Sequence, residues 1–385
     1  MAGGADTAGD LGSAPVLVPR DRLKAWRDRL LASPRFHRWA ARFPLTRPIA
    51  RRRSRDLFDL CAGFVYSQVL AACVELRLFE TLAAGPRSSA DLSRHLTLPL
   101  DATQRLLRAA TSLRLLEKRG PDRFGLGMLG AATLGNPGIA AMVAHHAMLY
   151  RDLADPVAFL RRERGGAALA GFWPYATPGA SIDEADVAPY TRLMSVSQSF
   201  VAEQVLDAYP VTRHRRLLDI GGGDGTFLAA AARRAPTLDL ILFDLPAVAN
   251  LARIRFRREG LDERAIAIGG SFFEDPLPDG CDLATLVRVV HDHDDGPALA
   301  LLRRARAALS ENGTLLIAEP LADTPGAEPM GEAYFGFYLA AMGSGRARSR
   351  EELAALVTQA GFAAVQSLPT ANPMLVSLLS AKVAK

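Results

Sequence analysis

Between about residues 57 and 175, apolar side chains recur at intervals of three and four, the spacing that gathers them on one face of a helix. FVYSQVLAACVELRLFETLA predicts such a helix, stopped by Gly85-Pro86. SSADLSRHL opens with a serine placed to cap a second helix, and a third is expected over 101–117, closing before Gly120-Pro121. RFGLGMLG follows with the character of a short hairpin wing. Helices with a wing describe a winged-helix unit, often used on DNA. The 101–117 segment, however, shows leucines and alanines where base-reading polar residues are needed, so dimerisation or scaffolding fits it better.

After Arg216 the pattern changes. Short apolar runs (LLDI, LILFDL, LATLVRVV, TLLIAEP) alternate with alanine- and arginine-rich helical stretches, which predicts an α/β fold, a doubly wound parallel sheet with helices on both faces. The Gly-, Pro- and acid-rich stretch ATPGASIDEADVAP (176–189) marks a change of surroundings. The expected organisation is a basic segment at 1–56, a helical winged-helix-like domain at 57–188 and the sheet domain at 189–385.

Composition narrows the class. An apolar fraction of 49% with 23% charged residues in 385 suits a well-cored protein. Cys61, Cys73 and Cys281 form no C-x-x-C pair, so neither a disulfide framework nor a zinc pattern is expected, which points to a reducing, cytoplasmic setting. The N-terminus lacks the order of a signal peptide, and no uninterrupted apolar run approaches the roughly 18 residues of a membrane span. Residues 20–55 are crowded with arginines, hold only Asp21 and Asp28 as acids, and interleave Trp26, Phe36, Trp39 and Phe43. Such an arm suits an anionic membrane surface, a nucleic acid, or a partner subunit.

Chemistry concentrates at two places. LLDIGGGDGTF (217–227) is a buried strand, a turn bearing Gly221, Gly222, Gly223 and Gly225, then a helix, and such a turn lets backbone approach a ligand closely. Dinucleotide sites also begin this way. Here Thr226 replaces the third small residue and Asp219 lies inside the strand, which favours a nucleoside methyl donor over a pyrophosphate. Asp244, ending FDLP, stands where a carboxylate can accept both ribose hydroxyls, with Leu245 beside it. Ser271 and Phe272 are placed to meet an adenine, or to be ordinary core.

The second place is VVHDHDD (289–295). An apolar run at 283–290 predicts a strand from whose carboxyl edge His291 emerges, the side where open sheets bind ligands. Asp294, Asp295 or Gly296 can cap the next helix, with Pro297 suited to its first position. A metal needs a third ligand, and the remaining histidines (His37, His95, His145, His146, His214) show no ligand spacing, so no metal is expected.

Together, LLDIGGGDGTF, ILFDLPAV, RVVHDHDD and LLIAEP, following a winged-helix-like region, resemble the S-adenosylmethionine-dependent O-methyltransferases that include acetylserotonin and caffeate enzymes. The resemblance covers roughly residues 57–380. It implies that His291 is the base that deprotonates the acceptor hydroxyl, that Asp292 follows it as in the family, and that Glu319 orients it. It further implies a homodimer, and S-adenosyl-L-methionine held by Asp219, Gly221, Gly222, Gly223, Asp244, Leu245, Ser271, Phe272 and Arg288. His293 replaces the family's tryptophan, which argues for packing; Ala347 replaces its second glutamate, and Ser271-Phe272 its aspartate-methionine pair. SPRFHRWAARFPLTRPIARRR, FVYSQVLAACV and EAYFGFYLAAMGSGR are similar to the carotenoid branch from purple phototrophic bacteria, which methylates the 1-hydroxyl of acyclic carotenoids. That implies a lipophilic acceptor. Tyr190, Met194, Phe335, Tyr338 and Met342 are the candidate lining, each of them also an ordinary core residue. A phenolic or polyketide acceptor, and a DNA-binding regulator that senses the donor, are the alternatives.

Overall fold

The computed structural model describes residues 19–162, 167–172 and 184–384. The chain divides into two compact units, one ending at Ala72 and the other beginning at Cys73. The first holds α1 (Pro19–Leu31), α2 (Pro34–Arg42) and most of α3 (Arg47–Glu75). In α3 an 18-residue window reaches a mean hydropathy of 1.7 with 6% of it buried, so by length and composition this helix could cross a membrane. Asp59 and the Ser67-Gln68 pair in LFDLCAGFVYSQVLAACV hide that property from a search for unbroken apolar runs.

In the second unit, Ser88 caps helix Ser89–Leu96 by accepting from the Asp91 N–H at 3.1 Å. The third helix ends early, at Ser112, because Leu113 leaves helical geometry and Arg114 turns to φ +60°. The chain then forms β2 (Leu116–Gly120) and β3 (Arg123–Leu126), with β1 (Arg87–Ser88) on the far edge of β3. The wing is therefore present but lies earlier than RFGLGMLG suggests, and Met128 already starts a helix. The 176–189 stretch is outside the described residues as far as 183; helix Glu184–Ala208 follows.

The sheet domain has seven strands: β4 (Arg216–Ile220), β5 (Asp239–Asp244), β6 (Ala265–Gly269), β7 (Cys281–Val287), β8 (Leu309–Glu319), β9 (Phe362–Leu368) and β10 (Ser377–Val383), in the order β6-β5-β4-β7-β8-β10-β9. Strands β4 to β8 run parallel and β10 is antiparallel to both neighbours. Alternate side chains enter opposite layers. Leu217, Leu240, Leu242, Leu283 and Leu316 pack with Phe227, Ala249 and Phe256 on one face; Leu218, Ile220, Phe243, Ala284, Leu286 and Ile317 pack with Leu301, Ala305 and Leu353 on the other. Burial on both faces is why these strands read as continuous apolar runs.

Candidate active site

Strand order reverses between β4 and β7, so the crevice at their carboxyl ends is the switch point where open sheets accommodate ligands. Neighbouring strands deliver the predicted residues to one edge: the glycine turn after β4, Asp244 at the end of β5, Arg288 to Asp292 after β7 and Glu319 at the end of β8.

On the β4 side, Asp219 stands in register with Thr285, whose Oγ1 donates to its Oδ1 at 2.6 Å, while Oδ2 has no partner among the described residues. Burial, reinforced by the charge of Asp244, pushes the Asp219 carboxyl up to about 7. Gly221 has φ +70°, and a Cβ there would stand 2.8 Å from Val289 Cγ2. Gly223 has φ +61° with open space where its side chain would be, and a Cβ on Gly222 would meet Asp219 Oδ2 at 2.6 Å. Asp244 is less free than its position suggests. Its Oδ2 accepts from the Gly223 N–H at 2.8 Å and its Oδ1 from the Leu245 N–H at 2.7 Å, so it clamps the turn with two of its lone pairs and keeps the others. Burial raises it to about 6 against those two bonds. A half-buried glycine turn, an unpartnered carboxylate oxygen and a half-satisfied second carboxylate suit a cationic, hydroxyl-bearing ligand. Ser271 and Phe272 lie in the turn after β6; Phe272 is partly buried against the second core layer.

Strand β7 stops at Val287, three residues before the end its apolar run predicts. Arg288 adopts φ +60°, and Val290–Asp292 form a 3₁₀ turn. Glu319 is the cause: its Oε1 accepts from the N–H groups of Val289 at 3.0 Å and Val290 at 2.7 Å, taking up the donors a strand would offer to a neighbour. The other oxygen, Oε2, pairs with His291 Nδ1. Asp292 Oδ1 lies 3.2 Å from Nε2 of the same ring. Burial lowers the pKa of His291, but the charges of Glu319 and Asp292 outweigh it and raise the imidazole above its ordinary range. Asp292 itself is pushed up to about 6, chiefly by burial.

His293 stands apart from the carboxylates around His291. Its ring sets an edge against Phe272 and Phe273, with centroids at 5.6 and 5.1 Å, and burial takes it down to about 4. Nor do the following aspartates cap as expected. Asp294 occupies the cap position of helix Asp295–Ala308 without a side-chain cap bond, and Pro297 is the third helical residue, not the first. Asp294 accepts instead from the Gly345 N–H at 3.1 Å and Asp295 from Arg348 Nε at 2.9 Å. Arg348, 3% exposed, also donates to Val290 O at 3.0 Å and His293 O at 2.8 Å, so it holds the turn that carries the imidazole. Its neighbour Ala347 is buried.

Of the candidate lining, Phe335 stands edge-on to His291 at 6.0 Å. It ends a π-helix, Met330–Phe335, a form that often marks functional segments. Tyr338 and Met342 are buried in a cluster with Leu149 and Leu169, against which Tyr190 packs. Met194 Sδ receives a bond from Arg288 at 2.9 Å, whose other nitrogen reaches Ser197 Oγ at 2.8 Å. Sequence reasoning missed two pairs here: His145 Nε2 with Tyr338 Oη at 3.0 Å, and His146 Nε2 with Tyr334 Oη at 2.7 Å. Burial keeps them neutral, lowering His145 to about 4 and raising Tyr334 to about 12. The signal was the adjacent histidines in the otherwise apolar AAMVAHHAML.

A histidine held between two carboxylates, beside a crevice at the carboxyl edge of the sheet, suits proton transfer to or from a hydroxyl. The chain does belong to the S-adenosylmethionine-dependent O-methyltransferases: residues 58–135 match the O-methyltransferase dimerisation domain and 150–363 the O-methyltransferase domain. Among its relatives, the demethylspheroidene O-methyltransferase of Cereibacter sphaeroides is 46% identical over 92% of this chain and 93% of its own. That of Rhodobacter capsulatus is 39% identical over 97% and 93%. Among solved structures, human N-acetylserotonin methyltransferase in complex with SAM superposes with a TM-score of 0.70 at 25% identity, covering 86% of this chain and 98% of that one.

Proposed function

We propose that this enzyme, acting as a homodimer, transfers a methyl group from S-adenosyl-L-methionine to the 1-hydroxyl of an acyclic carotenoid of the demethylspheroidene or hydroxyneurosporene type, at the cytoplasmic face of a membrane. The observation that carries the acceptor is the 46% identity to a demethylspheroidene O-methyltransferase over nearly the whole chain. When bound, the donor supplies a methyl group on a positively charged sulfur. Gly221, Gly222 and Gly223 hold it by backbone, Asp219 and Asp244 by charge and hydroxyl contacts, and Leu245, Ser271, Phe272 and Arg288 bound its pocket.

His291 manages the proton. With Nδ1–H donated to Glu319, Nε2 carries the lone pair, and it takes the hydroxyl proton as the carbon–oxygen bond forms, because an alkanol is too weak an acid to ionise beforehand. Glu319 and Asp292 then balance the imidazolium charge. Phe335 shapes the acceptor's approach, with Tyr338 and Met342 as buried support, Tyr190 against the same cluster and Met194 on Arg288.

One observation favours a second acceptor class. The two histidine–tyrosine pairs bring hydrogen-bonding groups into the packing around Phe335, which a polyene does not need and which suits an oxygenated aromatic acceptor. Labelled donor incubated with a 1-hydroxycarotenoid and with a hydroxynaphthoate decides the matter. Label should enter the carotenoid, and His291→Ala should lose about 10²-fold or more of that turnover. Label entering only the aromatic acid rejects the carotenoid assignment.

A further inference from the structure

Methyl transfer leaves one strongly charged surface without a task. Residues 20–55 carry thirteen arginines and lysines against two aspartates, a net charge of +11 in a chain of +5, so all other residues together hold −6. Every one of the thirteen is exposed, and among the described residues only Arg27 has an ion-pair partner, Asp28.

Along α2 and its C-cap Phe43, Phe36, Trp39 and Phe43 recur at three and four while Arg35, Arg38 and Arg42 repeat the same spacing one position earlier, so a row of rings runs beside a row of guanidinium groups. Arg35, Arg38, Trp39, Arg42, Phe43 and Pro44 line a shallow groove of about 490 Å³. Unpaired like charges this close make a positive potential that concentrates anions at the groove.

Three observations choose the partner. The matched dimerisation domain begins at residue 58, beyond this groove. Trp39 and Phe43 stack on each other with centroids 5.1 Å apart and planes 12° from parallel, so their inner faces are closed to nucleobases while their edges are free to enter a headgroup layer. The two demethylspheroidene O-methyltransferases cover 92% and 97% of this chain, too much for either to lack all of residues 20–55; the acetylserotonin enzyme's structure, matched over 98% of its own length, leaves 14% of this chain without a counterpart.

We propose that α2 anchors the enzyme to anionic phospholipid bilayers, with Arg35, Arg38 and Arg42 binding lipid phosphates and Trp39 and Phe43 entering the interface. The anchor deepens the proposed function by bringing the enzyme to where a carotenoid dissolves, and its physics does not depend on the transfer step.

The test is sedimentation of the full chain with vesicles of phosphatidylcholine alone or mixed with phosphatidylglycerol, at low and physiological salt. Binding should require the anionic lipid and weaken with salt. The triple variant R35Q/R38Q/R42Q should bind about 10²-fold more weakly while methylating detergent-dispersed acceptor normally, and R35K/R38K/R42K should keep most of the binding. Equal binding to both vesicle types, undiminished binding by the glutamine variant, or tighter binding to a single-stranded oligonucleotide than to anionic vesicles in the same salt would overturn the proposal. Vesicle binding without methyl transfer to any acceptor would support the anchor and remove the proposed function, so the two fail separately.

Discussion

Replacing Glu319 by glutamine keeps the shape of a buried group and removes its charge. Glutamine Oε1 can still accept from the Val289 and Val290 N–H groups, so the turn stays in place. Its amide nitrogen, however, now faces His291 Nδ1 and donates to it. The ring must then carry its proton on Nε2, the atom that has to accept one. General-base loss costs about 10²- to 10⁴-fold, and the same tautomer error in a serine-protease triad costs about 10⁴-fold, so the expected rise in barrier is about 3–5 kcal/mol. Donor affinity by calorimetry should be unchanged, since β4 and β5 are untouched. Activity needs neutral imidazole. With the His291 pKa raised above 6.5 by Glu319 and Asp292, the rising limb of the pH–rate profile lies above that value, and removing one carboxylate should move it to lower pH. Stability follows the same sign: a raised histidine pKa stabilises below 6.5 and fades as pH climbs past the folded value, so E319Q should lower Tm more at about pH 6 than at about pH 9. Wild-type turnover in E319Q, or a limb shifted upward, would refute the reasoning.

Asp219, at about 7 against an ordinary 3.8, favours the folded state only when protonated, a penalty of ~4 kcal/mol that builds between those values and is complete above them. Asp219→Asn should therefore raise the Tm of the ligand-free chain at about pH 8, add nothing near pH 4, and weaken donor binding; scanning calorimetry at both pH values checks the sign. Arg348→Met strips donors from the carbonyls of Val290 and His293, and should cost about 2–5 kcal/mol in denaturant unfolding together with a fall in kcat at unchanged donor affinity. Tyr338→Phe leaves His145 Nε2 unpaired and should cost about 1–3 kcal/mol. Retained turnover of a hydroxycarotenoid by that variant fits a polyene acceptor, whereas selective loss on an aromatic acid would show that the pair reads substrate oxygen.

Much of the site was legible because its residues lie next to strand ends. The glycine turn, Asp244 and Glu319 each follow or close an apolar run, and strand ends are where a parallel sheet collects ligands. Boundaries were harder. Leu116 continues a leucine pattern but begins the wing, and Val289 and Val290 are as buried as strand residues without being in the strand. Apolarity reports burial, whereas a strand's end depends on which group takes its backbone donors, here a carboxylate 29 residues away from Val290.

The order of motifs thus determined, from the chain alone, an α/β sheet with a glycine turn, an acidic partner and a histidine at its edge, because those features depend on local spacing and on the period of burial. Tertiary structure alone decided that Glu319 ends β7 and pairs with His291, that Asp244 clamps the turn, that Arg348 holds the turn carrying His291, and that His145 and His146 meet Tyr338 and Tyr334 across nearly two hundred residues. Such pairings are set by which elements lie side by side after folding, and a side chain's partner across the chain leaves no mark on its neighbours in sequence.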